Sequence, residues 1–107
     1  MPEEIVLQLT HKDVVLDFYK SRKKQVLAMV GGDALRYREG FLFFPESNQA
    51  IAKLSTRMLE SLREWESKGY SVYDAFVRFV VAWRPKDADA SESTTGVLLP
   101  ELHLKRT

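Results

Sequence analysis

The chain has 107 residues, the length of a single domain, and its 45% content of hydrophobic residues is typical of a globular protein. It carries 16 Lys and Arg against 15 Asp and Glu, a formal net charge of +1, so the chain as a whole is neither strongly basic nor an acidic mimic of nucleic acid. There is no cysteine and there are only two histidines, which excludes disulfides, thiolate metal sites and a histidine-rich zinc site.

The first predicted element is a half-buried strand over residues 4–9, because Ile5, Leu7 and Leu9 alternate onto one face. A helix is predicted next, over residues 11–24. Apolar residues recur there at helical spacing, and cations gather towards its end, where they oppose the helix dipole.

Residues 25–30 are compatible with two structures. As a continuation of the helix, they would leave Arg22 in the middle of an apolar face, which is costly for a charged group. As a second strand, they would end at Gly31 and Gly32, which suit a hairpin turn as well as a helix C-cap. The cost of placing the Arg22 charge on an apolar helix face therefore favours a strand at residues 25–30.

A β-hairpin is predicted from two strands at residues 34–38 and 41–44. The turn between them contains Gly40, which supplies the positive φ that tight turns require. Arg36 and Arg38 alternate to the face opposite the apolar residues of their strand. The hairpin therefore has one cationic and one apolar side.

Two further helices are predicted over residues 47–68 and 71–83. The first carries an apolar stripe at helical spacing, formed by Ile51, Leu54, Met58, Leu62 and Trp65. The second is apolar nearly all round, so it should lie centrally or meet a partner on one side. A strand is the competing interpretation of 71–83, because it is rich in Val and Phe.

The composition changes sharply after residue 84. The next dozen residues are polar, and an apolar segment follows at 97–104. We therefore expect a single α+β domain at 1–84 and a flexible C-terminal tail at 85–107. The domain should hold a small, mostly antiparallel sheet of three to four strands packed on two to three helices.

No targeting or membrane segment is evident. The N-terminus lacks the basic and apolar regions of a signal peptide. The longest apolar runs are far shorter than the roughly 20 residues of a membrane span. We expect a cytoplasmic protein that makes no membrane contact.

No motif in the sequence indicates catalysis. The chain has no phosphate-binding glycine loop and no nucleophile elbow, and His11 and His103 lie near opposite ends. We predict no catalytic residue, no cofactor and no metal ion, and we expect that the protein is not an enzyme.

The first functional hypothesis is a small non-catalytic protein–protein interaction or regulatory protein, such as an adaptor or inhibitor, that can form a homodimer. Its partner-binding surface would combine one side of helix 71–83 with the apolar tail segment 97–104. We expect that segment to pair with a sheet edge of its own chain or of its mate. The candidate residues are Tyr73, Val77, Val81, Leu98, Leu99, Leu102 and Leu104.

The alternative hypothesis is a nucleic-acid-associated accessory protein. A basic patch can neutralise phosphates, and the candidates for such a patch are Lys20, Arg22, Lys23, Lys24, Arg36 and Arg38. The hairpin aromatics beside the two later arginines could stack on bases, although a role in the core of the sheet is the commoner one for such residues.

Overall fold

A computed structural model of the chain describes residues 2–83 and 95–106. The strands are β1 (Glu4–Gln8), β2 (Ala34–Arg38), β3 (Phe41–Phe43), β4 (Ala50–Lys53), β5 (Tyr70–Trp83) and β6 (Thr95–Arg106). A 3₁₀ helix spans Leu16–Arg22, and two α-helices follow, α1 (Lys23–Leu27) and α2 (Thr56–Ser67). The strands form one antiparallel sheet in the order β1-β6-β5-β2-β3-β4, which curls into a half-barrel.

The predicted α+β class, with two to three helices on a small sheet, is therefore wrong. The protein is mostly sheet, and of the described helices only α2 is longer than seven residues. None of the helices within 2–83 and 95–106 has the length and apolar character needed to cross a membrane.

The largest error concerns residues 71–83, which form strand β5 and not a helix. The register of β5 against β6 shifts twice, and each shift adds a residue that breaks the alternation of a regular strand. The inward side chains are consequently Val72, Ala75, Val77 and Val80, which face the inward residues of β6. Their spacing of three, two and three residues imitates one side of a helix.

The flexible tail is a second error of the predicted fold. Residues 95–106 form β6, which lies between β1 and β5 in the interior of the sheet. Its Leu98, Leu102 and Leu104 are buried, because they point to the same side as the apolar residues of both neighbouring strands. The segment pairs within its own chain, and the predicted linker at 84–94 lies outside the described residues.

The first strand and the hairpin are confirmed. Strand β1 alternates as predicted, and β2 pairs with β3 around a turn in which Gly40 has a φ of 86°. The strand expected at 25–30 is wrong, because α1 continues to residue 27. Arg22 need not enter an apolar face, since its Nε donates to the Ala50 carbonyl at 2.7 Å.

The predicted helix at 47–68 is also two elements. Its first part forms β4, in which Ala52 pairs with Leu42 of β3. The helix begins only after Ser55, whose side chain caps it by accepting a hydrogen bond from the Met58 amide. The helix predicted at 11–24 is likewise shorter, beginning as the 3₁₀ helix at Leu16.

The inner face of the curled sheet holds the core. Helix α2 contributes Met58 and Leu62, while Tyr19 of the 3₁₀ helix donates its hydroxyl to the Leu98 carbonyl at 2.6 Å. The segment that follows β1 reaches the opposite edge of the sheet, where Val14 pairs with Leu54. The curl is thus closed over the apolar side, and the other side of the sheet, here called the outer face, remains accessible.

Candidate functional site

The outer face of β2 and β3 interleaves cations with phenyl rings. Register places Arg36 opposite Phe43 and Arg38 opposite Phe41, so all four side chains project to this face. The guanidinium carbon of Arg38 lies 4.7 Å from the centre of the Phe43 ring, and that of Arg36 lies 5.9 Å from it. Lys53 of β4 places its ammonium nitrogen 5.8 Å from the Phe41 ring.

The series of phenyl rings and cations continues from these strands onto the 3₁₀ helix. The Phe18 ring lies 5.9 Å from that of Phe41, which lies 6.5 Å from that of Phe43. The guanidinium of Arg22 stacks on Phe18 at 3.7 Å. We call this surface the Arg–Phe face, and it consists of Phe18, Arg22, Arg36, Arg38, Phe41, Phe43 and Lys53.

The four cations of the Arg–Phe face have no acidic partner among the described residues. The cations of the ion pairs among the described residues are Lys20 and His103, neither of which belongs to the Arg–Phe face. Arg36 donates to the Ser47 carbonyl at 2.6 Å, whereas Arg38 makes no side-chain hydrogen bond within the described part of the chain and rests on a ring. Arg22 donates to the carbonyls of Ala50 and Phe18 and to the Ser21 hydroxyl, so Arg38 is the arginine of this face whose N–H groups are most available to a ligand.

A cleft of about 420 Å³ opens beside this face, between β2 and β5. The two strands pair only through Ala34 with Phe76 and Leu35 with Ala75, and they diverge beyond that point. Apolar side chains line the cleft together with charged ones, the full set being Leu35, Arg36, Tyr37, Arg38, Phe43, Val72, Tyr73, Asp74 and Ala75.

Opposite charges face the cleft from its two sides without meeting. Arg36 and Arg38 belong to β2 and Asp74 belongs to β5, yet no ion pair joins them. The Asp74 carboxylate accepts one hydrogen bond, from the backbone amide of Ala75 at 2.9 Å. A ligand with an anionic group and N–H donors could therefore satisfy both sides of the cleft.

A second polar cluster lies on the outer face of β1 and β6. His103 Nε2 is 2.7 Å from a Glu101 carboxylate oxygen, and its Nδ1 is 3.1 Å from one of Glu4. Gln8 donates to the other oxygen of Glu101 at 3.0 Å, and Tyr73 donates its hydroxyl to Glu4. We call these five residues the histidine cluster.

The pKa values in the histidine cluster reflect these hydrogen bonds. The bond to Glu101, followed by that to Glu4, raises the pKa of His103, and partial burial opposes the shift. His103 in turn lowers the pKa of Glu101. The bond to Glu4 raises the pKa of Tyr73 to about 12. An imidazole that donates from both nitrogens is fully engaged, so this cluster holds the strands together and leaves no free base.

The structure brings together only part of the predicted basic patch. Arg22, Arg36 and Arg38 share the Arg–Phe face, whereas Lys20 is exposed and pairs with Asp17 at 3.1 Å. Lys24 is exposed on α1; the side chain of Lys23 lies outside the described part.

Sequence reasoning missed Lys53 and Phe18. Lys53 was assigned to a helix, but it lies in β4 opposite Phe41. Alternation in a short strand would have placed it beside the hairpin aromatics. Phe18 falls within the helix predicted at 11–24, and no local pattern indicates its contact with Phe41.

The predicted partner-binding residues separate into two groups. Four of them, Val77, Leu98, Leu102 and Leu104, are buried in the core of this chain, and Leu99 is partly buried. Tyr73 and Val81 are exposed, Val81 at 44%. Phe79, two residues before Val81, is 51% exposed. Nearby is a depression of about 280 Å³ lined by His11, Leu16, Val81, Val97 and Leu99.

Comparison of the chain with protein-family models, with curated proteins and with solved structures found no match. Within residues 2–83 and 95–106, no group of three or more His, Asp or Glu side chains is arranged to hold a metal ion. A functional interpretation therefore depends on the chemistry of the outer face.

Proposed function

We propose that this protein binds single-stranded nucleic acid on the outer face of its sheet. The observation that carries the proposal is the Arg–Phe face, where four cations without an acidic partner among the described residues lie over phenyl rings. The rings of Phe18 and Phe41 are partly exposed, whereas Phe43 is buried beneath its arginines. Proteins that bind single strands combine cations that follow the phosphates with planar groups on which bases stack. The net charge of +1 does not oppose this, because local charge determines where phosphates bind.

A single strand fits this face better than a duplex. The guanidinium carbons of Arg22 and Arg38 lie 3.7 and 4.7 Å from the centres of phenyl rings, and a guanidinium can also stack on bases that are not already paired and stacked. The cleft beside Arg36 and Arg38 can also receive an unpaired base. A duplex keeps its base faces hidden and would contact these residues through phosphates alone.

The test measures the affinity of fluorescently labelled (dT)15 and of a 15-base-pair duplex by anisotropy. We expect (dT)15 to bind more tightly. If all four cations contact phosphates, the logarithm of the association constant should fall with the logarithm of salt concentration with a slope of about −3. The double variant Arg36→Glu/Arg38→Glu should lose binding of (dT)15.

The matched control is Arg57→Glu/Arg63→Glu. It makes the same change of charge at two exposed positions of α2 and should bind (dT)15 nearly as the wild type does. Failure of the wild-type protein to bind at low salt would overturn the proposal. Equal loss in both double variants would also overturn it, because the binding would then depend only on overall charge.

Protein association is a second candidate function, supported by the exposed Phe79 and Val81 beside the apolar depression. Covering such a patch stabilises a complex by roughly 25 cal/mol per Å² of apolar area. We expect sedimentation at micromolar concentration to show a homodimer that Val81→Asp dissociates. Val6→Asp is the control, since Val6 is similarly exposed at 49% on β1, and a monomeric wild type would contradict this function.

A further inference from the structure

We infer that the cleft between β2 and β5 receives one base of the bound strand and that Asp74 makes it prefer guanine. This inference rests on the proposed binding of single-stranded nucleic acid. It concerns a different property, because a strand could bind the Arg–Phe face with no preference among bases.

The cleft has the size and lining of a site for one nucleoside. Its volume of about 420 Å³ falls within the usual range of roughly 300–1,000 Å³ for ligand pockets. The apolar part of its lining comes from Leu35, Tyr37, Val72 and Ala75, of which Tyr37 and Val72 are partly exposed and Leu35 and Ala75 are buried. A flat base can replace water against the exposed part of this lining without losing hydrogen bonds, since its polar groups lie at its edges.

The charges of the cleft correspond to the two ends of a nucleotide. Arg36 and Arg38 adjoin the cleft on the side of the Arg–Phe face, where the phosphates of a strand would lie. Asp74 lies on the opposite strand and is not neutralised by either arginine. A base inserted between them presents its donor edge to the carboxylate, while its phosphate remains with the guanidinium groups.

The chemistry of a carboxylate determines which base it accepts. An ionised carboxylate only accepts hydrogen bonds, and guanine presents two adjacent donors, N1–H and the N2 amino group. Adenine and cytosine each offer an amino group next to an acceptor nitrogen. Thymine offers one N–H between two carbonyl oxygens, which repel the carboxylate. Asp74 should therefore favour guanine most and thymine least.

Neighbouring residues hold the β5 side of the cleft in place. The Tyr73 hydroxyl donates to Glu4, the edge of its ring packs against His103 with centroids 6.1 Å apart, and Lys105 lies over its face at 4.3 Å. The backbone at Asp74 is paired with His103 of β6. The carboxylate is thus carried by a segment that is ordered before a base arrives, which reduces the cost of binding.

The experiment compares (dT)15 with a 15-mer of thymidines that has one central guanosine, using anisotropy. A two-point hydrogen bond to one base discriminates against bases that cannot form it, so we expect wild type to bind the guanosine oligonucleotide about ten-fold more tightly than (dT)15. A third oligonucleotide with inosine, which keeps N1–H and lacks the N2 amino group, should have intermediate affinity.

Asp74→Asn is the discriminating variant, because it keeps the shape and one acceptor oxygen but loses the carboxylate. It should reduce the preference for guanosine to about two-fold or less, because it weakens the contact with guanine and removes the repulsion of the thymine carbonyl oxygens. Asp17→Asn is the control, since Asp17 is exposed and pairs with Lys20 on the 3₁₀ helix, and it should keep the preference of the wild type.

The outcomes separate the two proposals. Equal affinity of the wild type for all three oligonucleotides would overturn the role of the cleft and leave the Arg–Phe face as the binding surface. A guanosine preference that survives Asp74→Asn would also overturn it. Failure of the wild type to bind any of the oligonucleotides would overturn the proposed function and this inference together.

Discussion

The outer face of the sheet has two halves that differ in how they satisfy charge. On β1 and β6, His103 lies between Glu101 and Glu4, and their side chains are joined by hydrogen bonds. On β2, β3 and β4, cations such as Arg38 and Lys53 rest on phenyl rings and have no acidic partner among the described residues.

The two halves differ in charge pairing because acidic residues occur in the strands of only one of them. Strands β1 and β6 each contribute a carboxylate to the outer face, and antiparallel register places both beside the imidazole. Strands β2, β3 and β4 contain no acidic residue at all. A charge that is satisfied within the chain stabilises the fold, whereas a charge left without a partner is available to a ligand. This contrast leads us to assign binding to the Arg–Phe face.

The largest expected effect is a loss of stability on removing a buried side chain of β6. It tests whether β6 lies between β1 and β5 in one sheet that carries both halves of the outer face. Leu102 of β6 is fully buried and is paired with Leu7 of β1 and Ala75 of β5. Leu102→Ala should therefore lower the free energy of unfolding by about 2–5 kcal/mol, measured by guanidinium chloride denaturation with circular dichroism.

The control for this prediction is Phe79→Ala on the neighbouring strand. Phe79 has the larger side chain, but half of it is exposed, so its loss should cost less than about 1 kcal/mol. If Leu102→Ala costs under about 0.5 kcal/mol, residues 95–106 do not form an interior strand, and the histidine cluster would lack its central element.

The comparison with the sequence shows which local rules decide this fold. Strand β1 and the β2–β3 hairpin follow from strict alternation and from a glycine turn, both of which are local signals. Strand β5 does not, because its two bulges give the apolar residues a helix-like spacing. For residues 97–104 the sequence predicts pairing with a sheet edge, and they do pair within their own chain. Their position in the interior of the sheet could not be predicted, since the partners β1 and β5 are distant in the chain.

The candidate site was predictable to a similar extent. Arg36 and Arg38 were placed correctly on one face, because alternation in a hairpin is sufficient for that. Their proximity to Lys53 and Arg22 depends on β4 and on the 3₁₀ helix, which were assigned to other elements. The cleft could not be predicted, since it arises where β2 and β5 diverge after two paired residues.

A second prediction separates the two halves by what each variant changes. Arg38→Ala should weaken binding of (dT)15 about ten-fold and change the unfolding midpoint little, because the exposed Arg38 makes no described hydrogen bond or ion pair and its contact with the Phe43 ring is worth about 0.5–1 kcal/mol. Glu101→Gln should lower the unfolding midpoint and leave (dT)15 binding unchanged, since Glu101 holds His103 and Gln8. If one variant changes both quantities, the two halves are coupled and the contrast between them fails.

The smallest expected effect is the pH dependence of stability from His103. Its raised pKa means that the folded state holds the proton more tightly than the unfolded state. The stabilisation is therefore complete below the unfolded pKa of about 6.5 and is lost as pH rises through the folded pKa. Glu101 has a lowered pKa, so its contribution is present above about pH 4.3 and is lost as pH falls through its folded pKa.

These opposite dependences give a window between about pH 5 and 6.5 in which the pair stabilises the fold most. Glu4 on β1 acts on His103, and Arg78 on β5 acts on Glu101. Glu4 is itself influenced by Tyr73 on β5 and by Lys105 on β6. Arg and Lys keep their charge across this range, and the pKa of Tyr73 lies far above it. The change between pH 6 and pH 8 should therefore come from the imidazole.

We expect the wild type to lose up to about 1 kcal/mol of unfolding free energy between pH 6 and pH 8, because His103 and Glu101 are only partly shielded from solvent, their side chains being 20% and 12% exposed. His103→Gln should remove this loss while keeping a hydrogen-bonding side chain. Subtracting the two curves isolates the contribution of His103. When His103 becomes neutral, Glu101 and Glu4 lose their cationic partner. The histidine cluster then carries unbalanced negative charge, whereas the Arg–Phe face carries unbalanced positive charge. Parallel curves for the two proteins would show instead that the carboxylates hold His103 by geometry and not by its charge.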